Sequence, residues 1–172
     1  MPRLILMRHA KSDWPAGCDD RDRPLSDRGH RDAAAAAAWF NRQPWQLDLA
    51  VVSSAKRTQE TFSDMARVLA YPLIKVDEPK IYEAATSEIL DVIRQQTCES
   101  LLVVGHGPGI PRLAITLSQG EIPLELERRG NYPTCAISVL ESEVPWSQWE
   151  PGVASFIDFE VPRAHPESED MD

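Results

Sequence analysis

Leu4-Ile5-Leu6-Met7 ends on Arg8-His9-Ala10, and Leu49-Ala50-Val51-Val52 runs into Ser53-Ser54-Ala55-Lys56-Arg57-Thr58. Leu101-Leu102-Val103-Val104 ends on Gly105-His106-Gly107-Pro108-Gly109. Three apolar runs therefore close on an imidazole or a guanidinium. A neutral imidazole nitrogen is a competent nucleophile, and the planar donor fork of arginine matches phosphate oxygens. Phosphoryl transfer needs an aligned nucleophile with positive charge around the equatorial oxygens. On these grounds His9 is the candidate nucleophile, passing through a phosphohistidine, and Arg8 and Arg57 are candidate phosphate ligands. Two neighbouring guanidinium groups disfavour an imidazolium and keep His9 neutral at about pH 7. His106, followed by the flexible Gly107-Pro108-Gly109, is placed to donate a hydrogen bond to the phosphoryl group as charge builds.

These side chains act together only if the chain folds so that all three runs end at one rim. Short apolar runs without alternation read as strands covered on both faces, and open α/β sheets carry their chemistry at the carboxyl ends of such strands. Adjacent residues of a strand point to opposite faces, so Arg8 and His9 share a ligand only where the strand ends. The polar, turn-rich stretch from Lys11 to Arg23 permits that turn. A helix capped by Ser26 or Asp27 then runs through Ala33–Ala38 and stops before Pro44. Further helices are expected over Lys56–Leu69, capped by Ser54, over Ser87–Gln96 and over Gly109–Leu117. Arg57 falls in the first turn of the helix expected over Lys56–Leu69, where the helix end itself favours anions. Strands are expected at Leu73–Val76 and Ala136–Leu140, and Trp146–Trp149 and Val153–Phe159 read as strands or irregular edge pieces. The alternation predicts an α/β fold, a three-layer α/β/α sandwich around a mostly parallel central sheet.

The bulk properties narrow the role. With 172 residues the expectation is a single domain over 1–161, followed by an acidic, proline-containing tail over 162–172 that reads as disordered. A formal net charge of -9 argues against nucleic acid or an anionic membrane as partner. Cys18, Cys98 and Cys135 show neither metal nor disulfide spacing. With no leader-like or membrane-length apolar segment, the expectation is a soluble cytoplasmic protein, monomeric, with no cofactor and no metal.

Taken together, Leu6-Met7-Arg8-His9-Ala10-Lys11-Ser12, Ser53-Ser54-Ala55-Lys56-Arg57-Thr58-Gln59-Glu60-Thr61 and Val104-Gly105-His106-Gly107 resemble the histidine phosphatase superfamily. Arg23-Pro24-Leu25-Ser26 and Thr134-Cys135-Ala136-Ile137 resemble its branch of SixA-type phosphohistidine phosphatases. The resemblance implies a phosphoglycerate-mutase-like fold. It also implies His9 as nucleophile within a phosphate pocket of Arg8, Arg57 and His106. Many relatives draw a proton-donating carboxylate from a loop between the second and last motifs. Glu83 in Tyr82-Glu83-Ala84 matches best, with Glu78 and Glu88 nearby. One departure is Arg8-His9-Ala10 where the wider family reads Arg-His-Gly.

The resulting expectation is a metal-independent phosphatase acting on phosphohistidine in a protein or on a small phosphorylated compound. Two alternatives stand beside it: a phosphoryl-binding module without turnover, and a metallohydrolase using His9, His106 and an acid such as Glu83.

Overall fold

A computed structural model of the chain describes residues 1–120, 122–129 and 131–164. Six strands, β1 (Arg3–Arg8), β2 (Leu49–Val52), β3 (Ile74–Asp77), β4 (Ser100–Gly105), β5 (Ile137–Glu141) and β6 (Ser155–Glu160), form one sheet in the order β3-β2-β4-β1-β5-β6. The first four strands in chain order pair in parallel, while β5 and β6 are antiparallel additions at one side. The fold is α/β with a mixed sheet, its parallel half being the part that carries the motifs.

The apolar runs explain the layering. In β1, Leu4 and Leu6 face one core and Ile5 and Met7 the other. On the Ile5 side lie α1 (Asp27–Asn41) and α2 (Lys56–Val68), which contribute Ala33, Ala37, Phe62 and Met65. On the Leu4 side lie α3 (Thr86–Arg94) and α4 (Gly109–Leu117), with Ile93, Ile110 and Leu113. A short α5 (Leu124–Arg129) follows, adding Leu126 to the same side. Each fully buried aliphatic side chain contributes about 1.5–3 kcal/mol relative to exposure, so both faces of the central strands hold helices firmly.

Register delivers the rim. β1 and β4 pair with Arg8 opposite Gly105, and β2 and β4 pair with Val52 opposite Val104. His9, Ser53 and His106 therefore leave the sheet at nearly one level. The backbone fastens them there: His9 N donates to Gly105 O at 3.0 Å and Ser53 N to Val104 O at 3.1 Å.

Several expectations shift. Ser26 caps α1 as expected, its side chain accepting from Gly29 N. Ser54 does not cap α2: the cap residue is Ala55, without a side-chain bond, and Ser54 Oγ is buried with no partner among the described residues. It is the neighbouring Ser53 hydroxyl that accepts from Ala55 N, at 3.4 Å. β3 lies one residue later than Leu73–Val76, and as one of the sheet's two edge strands it is exposed throughout. Trp146–Gln148 is a 3-10 turn, with the Trp146 and Trp149 rings buried 4.7 Å apart. At the boundary expected after Val161 packing continues: the Arg163 side chain is buried, donating to Thr134 O at 3.0 Å and standing 3.7 Å from Asp32. The remainder of the tail, with His165, lies outside the described residues. Among the described residues no helix is long and apolar enough to cross a membrane.

Candidate active site

His9 is the first residue beyond β1, and the backbone leaves it little freedom. Cys135 N donates to His9 O at 2.9 Å, and Ala10 N donates to Thr61 Oγ1 at 3.1 Å. The next residue, Lys11, is pinned through its carbonyl, which accepts from Ser26 N at 2.9 Å. Gly29 lies so near that a Cβ there would stand 2.0 Å from the same oxygen. Only glycine admits this approach of α1 to the His9 segment.

The hydrogen bonds of the His9 ring fix its tautomer. Nδ1 lies 2.7 Å from Ala10 O, which can only accept, so Nδ1 carries the proton. Nε2 is 3.3 Å from Arg57 Nε, which can only donate, so Nε2 holds the free lone pair. Burial pushes the His9 pKa well below its ordinary value. The nearby His106, Arg8 and Arg57 push it further down, while the bond to Ala10 opposes them. Desolvation, rather than the two guanidinium groups stressed by the sequence reading, is thus the main reason that His9 is neutral.

His106 comes from the turn after β4, its ring centroid 5.4 Å from that of His9. Its Nε2 is 2.7 Å from Ser53 Oγ, and its Nδ1 is buried with no partner among the described residues. Burial and then Arg57 hold its pKa down at about 4, against the opposing charge of Asp20. Arg8 reaches under the same turn, with Nη1 donating to Tyr132 O at 2.9 Å. A cavity of about 320 Å3 opens over this group, lined by Arg8, His9, Arg57, His106, Asp20 and Glu83 among others. Wider depressions of about 580 and 680 Å3 around Met1 and Glu143 contain none of these residues.

The structure separates the three candidate acids. Glu83 is exposed at the cavity edge, in a left-handed backbone conformation with φ 53°. Glu78 accepts from Lys80 N at 3.0 Å and Glu88 from Ala85 N at 3.0 Å; both are end caps and neither lines the cavity. Among the described residues no group of three or more His, Cys, Asp or Glu side chains is arranged to hold a metal ion.

Two residues of the site escaped the sequence reading. Asp20, on a 3-10 turn (Asp20–Asp22) within the Lys11–Arg23 loop, takes two bonds from Arg57: Nη1 to its carbonyl at 2.7 Å and Nη2 to Oδ2 at 3.2 Å. The Tyr82 hydroxyl donates to the same Oδ2, and the Tyr82 ring meets His106 edge-on at 5.5 Å. The bond from Tyr82, then the charge of Arg57 and the bonds from Arg23 and Arg57, hold the Asp20 pKa down at about 2. Asp20 sits among Asp19, Asp22 and two arginines, Arg21 and Arg23, in a loop without periodicity, so its type and spacing gave no signal. A clue was available in Tyr82, adjacent to Glu83.

Residues 4–80 match the family model of the histidine phosphatase superfamily (branch 1), a span that includes Arg8, His9 and Arg57. An uncharacterised protein of Mycobacterium tuberculosis is 35% identical over 167 residues, covering 91% of this chain and 100% of the relative. Phosphohistidine phosphatase SixA of Escherichia coli is 25% identical over 125 residues, covering 70% of this chain and 77% of SixA. The crystal structure of a candidate phosphohistidine phosphatase SixA from Agrobacterium tumefaciens has a TM-score of 0.79 at 28% identity, covering 94% of this chain and 99% of that one.

Proposed function

The chain belongs to the histidine phosphatase superfamily, and from that premise we propose that it is a metal-independent phosphatase working through a phosphohistidine on His9. The observation that carries this reading is the state of the His9 ring: Nδ1 is tied to Ala10 O and the Nε2 lone pair is turned toward the Arg57 guanidinium.

In the first step His9 Nε2 attacks phosphorus, the P–Nε2 bond forms, and the bond from phosphorus to the leaving oxygen or nitrogen breaks. Arg8 and Arg57 hold the equatorial oxygens while charge gathers there. If the Ser53 hydroxyl donates to His106 Nε2 while accepting from Ala55 N, the His106 proton is on Nδ1. That N–H, which has no protein partner among the described residues, is then a donor for a phosphoryl oxygen. Glu83, at the cavity edge, gives the leaving group its proton. In the second step water attacks phosphorus, its proton passes to the Glu83 carboxylate, and the P–Nε2 bond breaks to return neutral His9 and inorganic phosphate.

The substrate is phosphohistidine in a protein or a small phosphorylated compound. A nitrogen leaving group protonated on its own imidazole departs without a strong protein acid, which fits an acid held only at the exposed edge. Phosphate release from an aryl phosphate, and from a histidine-phosphorylated protein, is the test, run with chelator present for the intact protein and for His9→Ala. Release by the intact protein alone supports the reading. Release that persists in His9→Ala, or that chelation abolishes, overturns it.

A further inference from the structure

The carboxylate of Asp20 poses a problem, because it lines a cavity suited to a dianion and at short range opposes the substrate it would meet. A residue present only to strengthen binding would be neutral or cationic. What Asp20 does instead is grip Arg57 from two sides, with its carbonyl on Nη1 and its carboxylate on Nη2. Those two bonds engage the terminal nitrogens of the guanidinium and leave Nε–H facing His9 Nε2.

We infer that Asp20 is a positioning residue for Arg57, aiming its Nε–H at the reacting phosphoryl group at the expense of ground-state anion affinity. This rests on the phosphatase reading above. Binding that is stronger in the transition state than in the ground state is what accelerates a reaction, and an aimed guanidinium supplies that difference. An ammonium or a loose guanidinium attracts phosphate in any orientation. Stabilising charge on the equatorial oxygens next to Nε2 requires one orientation.

Asp20 is itself fixed from several directions. Arg23 Nη1 donates to Oδ1 at 3.3 Å, and the Tyr82 hydroxyl shares Oδ2 with Arg57. Arg23 also donates to Ser12 Oγ at 2.8 Å and to Asp13 O at 3.2 Å, and its guanidinium lies 4.4 Å from the Trp14 ring centre. Arg21 covers the Tyr82 ring at 4.7 Å. The base of the loop is closed by a bridge between Ser12 and Leu25. A loop of this kind is a rigid mount for one carboxylate.

The test pairs kcat on an aryl phosphate with the affinity for inorganic phosphate measured by calorimetry, in the intact protein, Asp20→Ala and Asp20→Asn. Asp20→Ala keeps the backbone carbonyl and removes only the carboxylate. Its kcat is expected to fall about 10²-fold, the scale of a small misplacement at a reacting centre, while phosphate binds as tightly as before or more tightly. Asp20→Asn can still accept from Arg57 and Tyr82 through its carbonyl oxygen, though its amide then faces Arg23, so it should recover most of the lost kcat. An unchanged kcat in Asp20→Ala overturns the inference. So does a loss of kcat matched by an equal loss of phosphate affinity in both variants, which is the mark of a merely structural role. Should the intact protein show no His9-dependent turnover, the phosphatase reading itself fails. Calorimetry then still judges Asp20, with weaker phosphate binding in Asp20→Ala counting against it.

Discussion

Arg57 Nε and His9 Nε2 lie 3.3 Å apart, with the guanidinium donating to the lone pair that would attack phosphorus. The same N–H must pass from that nitrogen to a phosphoryl oxygen as the P–N bond forms. Arginine suits the exchange because its Nε–H and terminal N–H groups keep a fixed angle to one another, which the single ammonium of lysine cannot imitate. Arg57→Lys retains the charge and loses this geometry. Its kcat/KM on an aryl phosphate should fall by about 10²-fold or more, the usual effect of removing one transition-state donor. A loss confined to KM would show that Arg57 serves only ground-state binding.

The buried histidines make both activity and stability depend on pH. His9 is depressed well below 6.5 in the folded protein, so the acid limb of kcat/KM should lie well below that value once the substrate's own ionisation is allowed for. His106 is depressed from 6.5 to about 4. As pH falls, the unfolded chain takes up protons on these rings first, and the folded state loses stability by up to about 1.4 kcal/mol per pH unit for each group. For His106 the loss runs from pH 6.5 down to about 4 and then levels off. Denaturant titrations across that range measure it, and a flat profile would contradict the burial argument.

Glu83 should matter in proportion to how poorly the leaving group departs. Glu83→Gln is expected to slow hydrolysis of an alkyl phosphate by about 10²-fold, within the usual range for a general acid, and to spare a phosphorylated imidazole. Glu78 and Glu88 are end caps of a 3-10 turn and of α3, so glutamine at either position should leave both rates as they are. Equal slowing of both substrates in Glu83→Gln would remove it from the proton-transfer step.

The motif strands were legible because β1, β2 and β4 are covered on both faces and so read as unbroken apolar runs. Their shared rim followed from where each run stopped. The edge strands β3 and β6 were harder, because an exposed edge strand needs no apolar code, and Trp146–Trp149 packs as a turn. In the site, Arg8, His9 and His106 could be named since each ends a strand or follows one at once, and Arg57 since it lies in the first turn of the helix after β2. Asp20 and Ser53 could not be assigned their contacts, because these depend on how the loop and α2 settle around Arg57 and His106 and not on any spacing along the chain. The Ser54 cap failed for a related reason: two adjacent serines offered the same hydroxyl, and the fold used Ser53 to bond His106.

Ser53→Ala tests that use. It leaves the buried His106 Nε2 without its partner at 2.7 Å, and an unsatisfied buried group costs about 1–3 kcal/mol. A lower denaturation midpoint together with a lower kcat is expected; a drop in stability with kcat intact would mean that the His106 tautomer is irrelevant to turnover.

Gly29→Ala should be among the most damaging substitutions remote from the reacting atoms. Its Cβ would meet the Lys11 carbonyl at 2.0 Å, a contact with backbone that no side-chain rotation relieves. A loss of about 3 kcal/mol or more is expected, and it can be read from urea unfolding.

The most direct measurement is the mass of the protein quenched during turnover of an aryl phosphate, followed by mapping of the modified peptide under conditions that preserve P–N bonds. The account predicts the added mass of one phosphoryl group on His9, absent from His9→Ala and discharged when substrate runs out. Turnover with no adduct on His9, or with the phosphoryl group on another residue, would contradict it.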